Sequence, residues 1–169
     1  MTTVLQSDVS VGAVALRCIA SSAIGDVDVP SSAIMHFPVP LGGFPDRHEF
    51  ALLPAARNGL WWLQSTDDPD LTFILGDPFV LDASYEIDLG VADRSTLQID
   101  HETDAFALVM LTLAPHPATA TTGNFRAPLV FNLARGRGLQ VVSRDDAHNV
   151  RRPVDVSVYP SQPIGLRMR

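Results

Sequence analysis

The amino-acid sequence predicts an all-β protein: a single small β-barrel-like domain of short antiparallel strands, with at most one or two short helical turns. Short apolar runs recur about every ten residues and end at proline, glycine or aspartate, a spacing typical of closed β architectures. Apolar and polar residues alternate within several runs, as in a strand with one buried face. The chain has 169 residues, 46% of them apolar, so we expect one domain over residues 1–169.

The first third of the chain contains four predicted strands. Residues 14–19 and 24–29 are expected to form a hairpin, because two serines separate these runs. Residues 34–37 and 50–53 are the next two strands. Between them, residues 38–45 form a loop, in which prolines restrict the backbone dihedral angles and glycines allow angles that other residues avoid.

The stretch from residue 59 to residue 89 predicts three more strands. Residues 60–63 and 71–75 are apolar, and each run is followed by an Asp-Pro pair. Because proline pushes its predecessor out of the α region, we do not expect a helix here. In residues 85–89 large apolar side chains alternate with acidic ones, which predicts a strand with one wet, acidic side.

The second half of the chain contains one helical turn and three strands. Residues 92–99 form the helical turn, with Leu97 facing inward. Residues 106–113 are a continuous apolar run that suits a strand covered on both faces, although a buried piece of helix remains the alternative. Residues 129–132 and 139–142 flank a loop with two glycines, which predicts a hairpin. After about residue 153 the tail is expected to be weakly ordered.

The charge of the chain excludes some partners and favours others. The net charge is −7, which disfavours direct binding to nucleic acid or to an anionic membrane and favours a basic protein partner. Acids are concentrated in residues 61–110, and arginines in residues 121–169. Cys18 is the only cysteine, and no apolar run reaches transmembrane length, so a reduced, cytoplasmic protein is expected.

Motifs for catalysis or metal binding are weak. The five histidines include no metal-binding pair four residues apart, and no nucleophile elbow is present. The aspartates of residues 67–70 lack the glycine and glutamate of a calcium loop. We therefore predict no enzyme activity, no catalytic or metal site and no cofactor. Two alternatives stay open: a small hydrolase or metal enzyme built on acids and histidines between Asp67 and Asp104, and a small-molecule-binding β-barrel.

Several motifs, in a fixed order, resemble one known family. A glycine-rich loop containing Gly43 and Phe44 is similar to that family's GLPGF sequence. The middle of the chain contains WLQS at residues 62–65, DDPDL at 67–71, DPF at 77–79 and YEIDL at 85–89. Residues 122–132 resemble TANLxAPxVxN, and residues 138–142 resemble GxQVV. Together these motifs cover about residues 25–142 and identify the chain as a member of the flagellar assembly factor family FliW.

The resemblance implies a non-enzymatic cytoplasmic protein that is monomeric when free and has two protein partners. It implies binding of newly made flagellin in a chaperone-like role. When flagellin is exported, it implies binding of the RNA-binding translational repressor CsrA, which relieves repression of flagellin translation. Exchange between these partners would connect flagellin synthesis to export.

Candidate contact residues follow from residue chemistry. The repressor is expected to contact acidic residues of the middle of the chain, namely Asp67, Asp68, Asp70 and Glu86. Flagellin is expected to contact an apolar patch with Phe44, Trp61, Trp62 and Phe79 as the candidates. Because Trp61 and Trp62 are adjacent on a strand, one should face the core and the other should face outward. Gly43, Asn124 and Pro128 are read as structural residues of their loops.

Overall fold

The computed structural model describes residues 14–160. In this range the first six strands are β1 (Leu16–Ile19), β2 (Val27–Pro30), β3 (Ile34–His36), β4 (Glu49–Pro54), β5 (Leu60–Ser65) and β6 (Thr72–Gly76). Two short helices follow, α1 (Pro78–Leu81) and α2 (Val91–Leu97). The remaining strands are β7 (Phe106–Thr112), β8 (Thr122–Gly123), β9 (Leu129–Asn132), β10 (Arg137–Gln140) and β11 (Arg152–Pro153).

Seven strands close into a barrel in the order β3, β4, β5, β6, β7, β9, β10. Neighbouring strands are antiparallel, with one exception that the sequence did not predict: β10 runs parallel to β3 where Arg137 lies opposite His36. Strands β8 and β11 extend the sheet beside β7. The predicted all-β, barrel-like fold with at most two short helices is confirmed.

The barrel interior is filled by apolar side chains. Every second residue of β4 to β7 and β9 points inward, as the period of a strand requires. The buried side chains there are Met35, Phe37, Leu41, Phe50, Leu52, Leu63, Leu75, Leu108, Leu129 and Phe131. The partly buried side chains that pack against them are Phe44, Trp61, Leu71, Phe73, Phe106 and Met110. Phe37 is tightly seated, because a Cβ on Gly138 would lie 2.5 Å from its ring. This filled interior disfavours the alternative of a barrel that holds a small molecule inside.

Three layers cover parts of the barrel exterior. The β1–β2 hairpin places Ile19 and Val29 against Ala51 on the outer face of β4. Helix α2 and the segment before it cover β9 and β10. The segment after β11 and the α1 region cover β6 and β7. These layers pack on the barrel through side chains, whereas β8 and β11 join it through the β7 ladder.

The predicted strand at residues 85–89 is wrong. The alternation of burial is present, with Tyr85 buried, Glu86 and Asp88 exposed, and Ile87 and Leu89 half-buried, but the segment belongs to no sheet. It lies over the outside of a barrel whose seven strands each have a neighbour on both sides. The segment therefore keeps the side-chain pattern of a strand without a strand to pair with.

The prediction that no helix forms near the Asp-Pro pairs is also wrong at residue 77. Pro78 is the first residue of α1, a position where its missing N–H costs nothing. The Asp77 carboxylate caps this helix by accepting a hydrogen bond from the Phe79 N–H at 2.9 Å. The Asp-Pro pair thus begins a helix instead of preventing one.

The end of the described chain differs from the predicted weakly ordered tail. Arg152 and Pro153 pair with β8, and Tyr159 is 0% exposed. The Tyr159 hydroxyl donates to the Asp77 carbonyl at 2.7 Å. Residues 161–169, which the same prediction covered, lie outside the described residues. Tertiary contacts that sequence reasoning did not foresee hold residues 154–160 against the barrel.

Candidate partner interface

Three of the predicted acidic contact residues lie together on the turn between β5 and β6. Asp67 and Asp68 both pair with Arg47, at 3.3 and 3.1 Å. Asp70 accepts a hydrogen bond from the Ser22 hydroxyl of the β1–β2 hairpin at 2.5 Å. This acidic turn is therefore held in a defined shape by its contacts, and the positive charge of Arg47 offsets part of its negative charge.

Gln64 holds this acidic turn in shape, a role that sequence reasoning missed. Its side chain is fully buried, and its amide donates to the carbonyls of Ser65, Asp68 and Leu71 at 3.0, 2.9 and 3.2 Å. Its carbonyl oxygen accepts from the Thr72 hydroxyl. The available signal was a polar residue within an apolar strand, because buried polar side chains need partners.

The fourth predicted acid, Glu86, lies in a different groove. It lines a polar cavity of about 590 Å³ together with Asp88, Ser143, Arg144, Asp145 and His148. Within this groove the Ser143 hydroxyl is 2.6 Å from Nδ1 of His148. Nε2 of His148 is 3.8 Å from Asp145, which is beyond hydrogen-bond distance. The Ser143 oxygen also accepts the Asp145 N–H at 3.1 Å. The contacts among Ser143, Asp145 and His148 therefore stabilise a turn of the backbone.

Two of the four aromatic candidates are half-buried and pack against the barrel core. Phe44 packs edge-to-face on Phe73 with ring centroids 5.3 Å apart. Trp61 packs in the same way on Phe106 at 5.4 Å. Trp62 is half-buried on the opposite face of β5, between Leu53 of β4 and Ile74 of β6 in the ladder. The adjacent tryptophans thus face opposite sides of the strand, as their spacing predicts.

Phe79, the remaining aromatic candidate, is 48% exposed and lines an apolar groove. The groove has a volume of about 260 Å³. Its other lining residues are Ile87, Leu89, Arg94, Glu102, Ala105, Ala107 and Val130. The small side chains of the two alanines leave space in the groove. A solvent-exposed salt bridge between Arg94 and Glu102, at 3.8 Å, lies on its rim. An apolar concavity with a charged rim suits a side chain from a partner protein.

The three residues read as structural make local backbone contacts. The Asn124 side-chain oxygen accepts the Ala127 N–H at 3.0 Å, while the Asn124 backbone N–H donates to the Met110 carbonyl of β7 at 2.9 Å. Pro128 is buried immediately before β9. Gly43 has a φ of 89°, in the left-handed region that favours glycine. These contacts organise loops at the ends of the barrel.

The titratable groups described next have clearly shifted pKa values, and each shift is caused by burial or by contacts with neighbouring protein groups. The Ser84 hydroxyl and then Arg152 lower the pKa of Asp82 to about 2. Burial raises the pKa of Tyr85 to about 12, and its hydroxyl donates to the Phe125 carbonyl at 2.8 Å. Burial also raises the pKa of Tyr159. Across residues 14–160 no three histidine, cysteine or acidic side chains are grouped so as to hold a metal ion.

Comparison with known proteins adds the decisive observation. The model of the FliW protein family matches residues 18–154, most of this chain. The chain belongs to the FliW family of flagellar assembly factors. The matched residues include all seven barrel strands, both grooves and the acidic turn. Tyr159 lies beyond the matched range.

Individual FliW proteins and a FliW structure agree with this assignment. FliW of Geobacillus thermodenitrificans is 37% identical over 124 residues, which cover 73% of this chain and 85% of the relative. FliW 2 of Desulfotalea psychrophila is 33% identical over 132 residues, which cover 77% and 85% of the two chains. A crystal structure of the flagellar assembly factor FliW superposes with a TM-score of 0.75 and 32% identity, covering 86% of this chain and 99% of the other.

One further finding concerns membranes. In the part of the chain that the structure describes, no helix has both the length and the apolar character needed to span a bilayer.

Proposed function

We propose that this FliW protein acts in the cytoplasm by binding flagellin and the translational repressor CsrA in turn, without catalysing a reaction. The observation that carries the proposal is membership of the FliW family of flagellar assembly factors. Binding the repressor would relieve its block on flagellin translation, and binding flagellin would act as a chaperone-like cover. The free protein is proposed to be a monomer without a cofactor.

The apolar groove beside Phe79 is the proposed contact for flagellin. Unpolymerised flagellin ends are amphipathic, so they need an apolar surface that is open in the free protein. Phe79 is 48% exposed and meets this requirement. Trp62 is the second proposed contact, because it faces outward. Phe44 and Trp61 are half-buried and pack against the barrel core, so we propose that they contribute mainly to stability.

The acidic turn and Glu86 are the proposed contacts for the repressor. An RNA-binding protein presents basic residues, and a net charge of −7 favours its approach. Replacing Asp67, Asp68 and Asp70 with asparagine should slow association at low salt and flatten its salt dependence, while the fold is kept. Stopped-flow mixing at several salt concentrations measures this. An unchanged association rate would restrict the three aspartates to shaping the turn.

Flagellin and the repressor are proposed to exclude one another. Coupling between two bound partners is reciprocal, so flagellin must weaken repressor binding as much as the repressor weakens flagellin binding. The experiment is to form the repressor complex and to titrate in flagellin on a sizing column. The expected result is release of the repressor as the flagellin complex appears. A stable ternary complex with both affinities unchanged would contradict exchange.

A further inference from the structure

Residues 86–89 are strand-like in their side chains but unpaired in their backbone. Exposure alternates from Glu86 to Leu89, and the segment runs without a turn or bend. Within residues 14–160, neither the amides nor the carbonyls of Glu86, Ile87 and Asp88 make a hydrogen bond. Glu86 and Asp88 are exposed, so their backbone groups can pair with water in the free protein. They are therefore available to another chain.

The segment is held at both ends, which gives it a defined shape. At its start, Tyr85 is 4% exposed and its hydroxyl is bonded to Phe125. At its end, the Gly90 amide donates to Asp93 at 3.1 Å, and Arg94 donates to the Leu89 carbonyl at 3.3 Å. A segment fixed in advance loses little conformational freedom on binding, which favours its use as a docking strand.

The two sides of the segment have opposite chemistry. Ile87 and Leu89 line the apolar groove beside Phe79, and Ile87 also borders the polar groove. Glu86 and Asp88 line the polar groove, where neither carboxylate has an ion-pair or hydrogen-bond partner within the described residues. A strand laid alongside would therefore meet apolar side chains on one of its faces and unpaired negative charge on the other.

We propose that residues 86–89 are a docking strand for an extended segment of a partner protein in which basic and apolar residues alternate. The partner's main chain pairs with the free amides and carbonyls to form a two-stranded ladder, by the same main-chain pairing that β-augmentation uses at a sheet edge. Its arginine or lysine side chains pair with Glu86 and Asp88, while its apolar side chains enter the groove beside Phe79. The occupant follows from charge complementarity, because the exposed face of the segment presents two unpaired carboxylates.

A synthetic peptide provides a test that does not depend on flagellin or the repressor. The probe is acetyl-Val-Arg-Val-Arg-Val-Arg-amide, and the readout is amide hydrogen exchange of the full chain by NMR. We expect alternate amides of residues 86–89, those on the edge that pairs with the peptide, to exchange at least tenfold more slowly at saturating peptide. The double variant E86Q/D88N should weaken peptide binding at least fivefold. The matched control D26N/D46N removes two exposed acids that lie in neither groove nor the acidic turn, and it should bind as the parent does.

Two further probes separate main-chain pairing from simple charge attraction. The same peptide with all six residues N-methylated keeps its charge but loses the backbone donors of both strand edges, so it should bind at least tenfold more weakly. A peptide with glutamate in place of arginine should not bind. Equal binding of the N-methylated peptide, protection confined to other residues, or no binding of the first probe would each overturn the docking strand.

Discussion

At the scale of single residues, Tyr159 joins the end of the described chain to the barrel. Its ring lies against two glycines, where a Cβ on Gly59 would be 2.7 Å from the ring and a Cβ on Gly76 would be 2.5 Å from the hydroxyl. The Arg57 guanidinium donates to its carbonyl at 3.0 Å. Glycine is needed at these two positions because a larger residue would collide with the Tyr159 side chain.

Replacing Tyr159 should separate the two parts of this interaction. Tyr159→Phe removes the hydrogen bond to Asp77 and is expected to lower the free energy of unfolding by about 1 kcal/mol. Tyr159→Ala also leaves a cavity, so about 3–5 kcal/mol is expected. Urea unfolding measures both. Val158→Ala is the control, because Val158 is 49% exposed and should change stability by less than about 0.5 kcal/mol.

Asn124 is expected to matter through its backbone contact. Asn124→Ala removes the acceptor of the Ala127 N–H and should lower the free energy of unfolding by about 1 kcal/mol. Thermal unfolding checks this, and Asn124→Asp, which retains an acceptor, is the matched control. A variant that melts normally but no longer binds flagellin would show that Asn124 is a contact residue instead.

At the scale of elements, an ion pair joins the end of α1 to β11. Arg152 donates to Asp82 at 2.6 Å and lies over the Phe125 ring at 4.7 Å. The Ser84 hydroxyl donates to the same carboxylate at 2.6 Å. These contacts favour the ionised carboxylate, which is why the pKa of Asp82 falls to about 2.

This shift predicts a specific acid dependence. The folded pKa lies below the unfolded value of 3.8, so the stabilisation from Asp82 is complete above about pH 4 and is lost as the pH falls towards about 2. Asp82→Asn should therefore flatten the fall in Tm between pH 4 and pH 2, as measured by calorimetry. Asp88→Asn is the control, because its carboxylate has no partner within the described residues. An equally steep fall in the Asp82 variant would contradict the assigned cause.

At the scale of the whole molecule, function is proposed to lie on the outer layer and stability in the barrel. Trp61 packs inside and Phe79 lines an open groove, so the two aromatic residues should respond differently to truncation. Trp61→Ala is expected to lower the free energy of unfolding by at least about 2 kcal/mol. Phe79→Ala should change it by less than about 1 kcal/mol and should weaken flagellin binding at least tenfold. Denaturation and titration calorimetry together test this contrast.

Much of the barrel could be predicted because its signals are local. Alternation and turn residues determine where a strand begins and which face is buried, as for the opposite orientations of Trp61 and Trp62. The family motifs also lie in the sequence. Residue chemistry placed Asp67, Asp68 and Asp70 on one turn, since they are neighbours along the chain. These features need no knowledge of distant residues.

Only the tertiary structure decided the features that depend on distant partners. Residues 85–89 have the pattern of a strand, but the seven barrel strands already have neighbours on both sides, so the segment remains unpaired on the barrel surface. Tyr159 is buried because Gly59 and Gly76 make room for it about 100 and 80 residues earlier in the chain. Phe79 lines a groove because the segment after α1 packs over β7 and β9. A local pattern specifies what a segment can form, but the neighbours supplied by the fold determine what it pairs with.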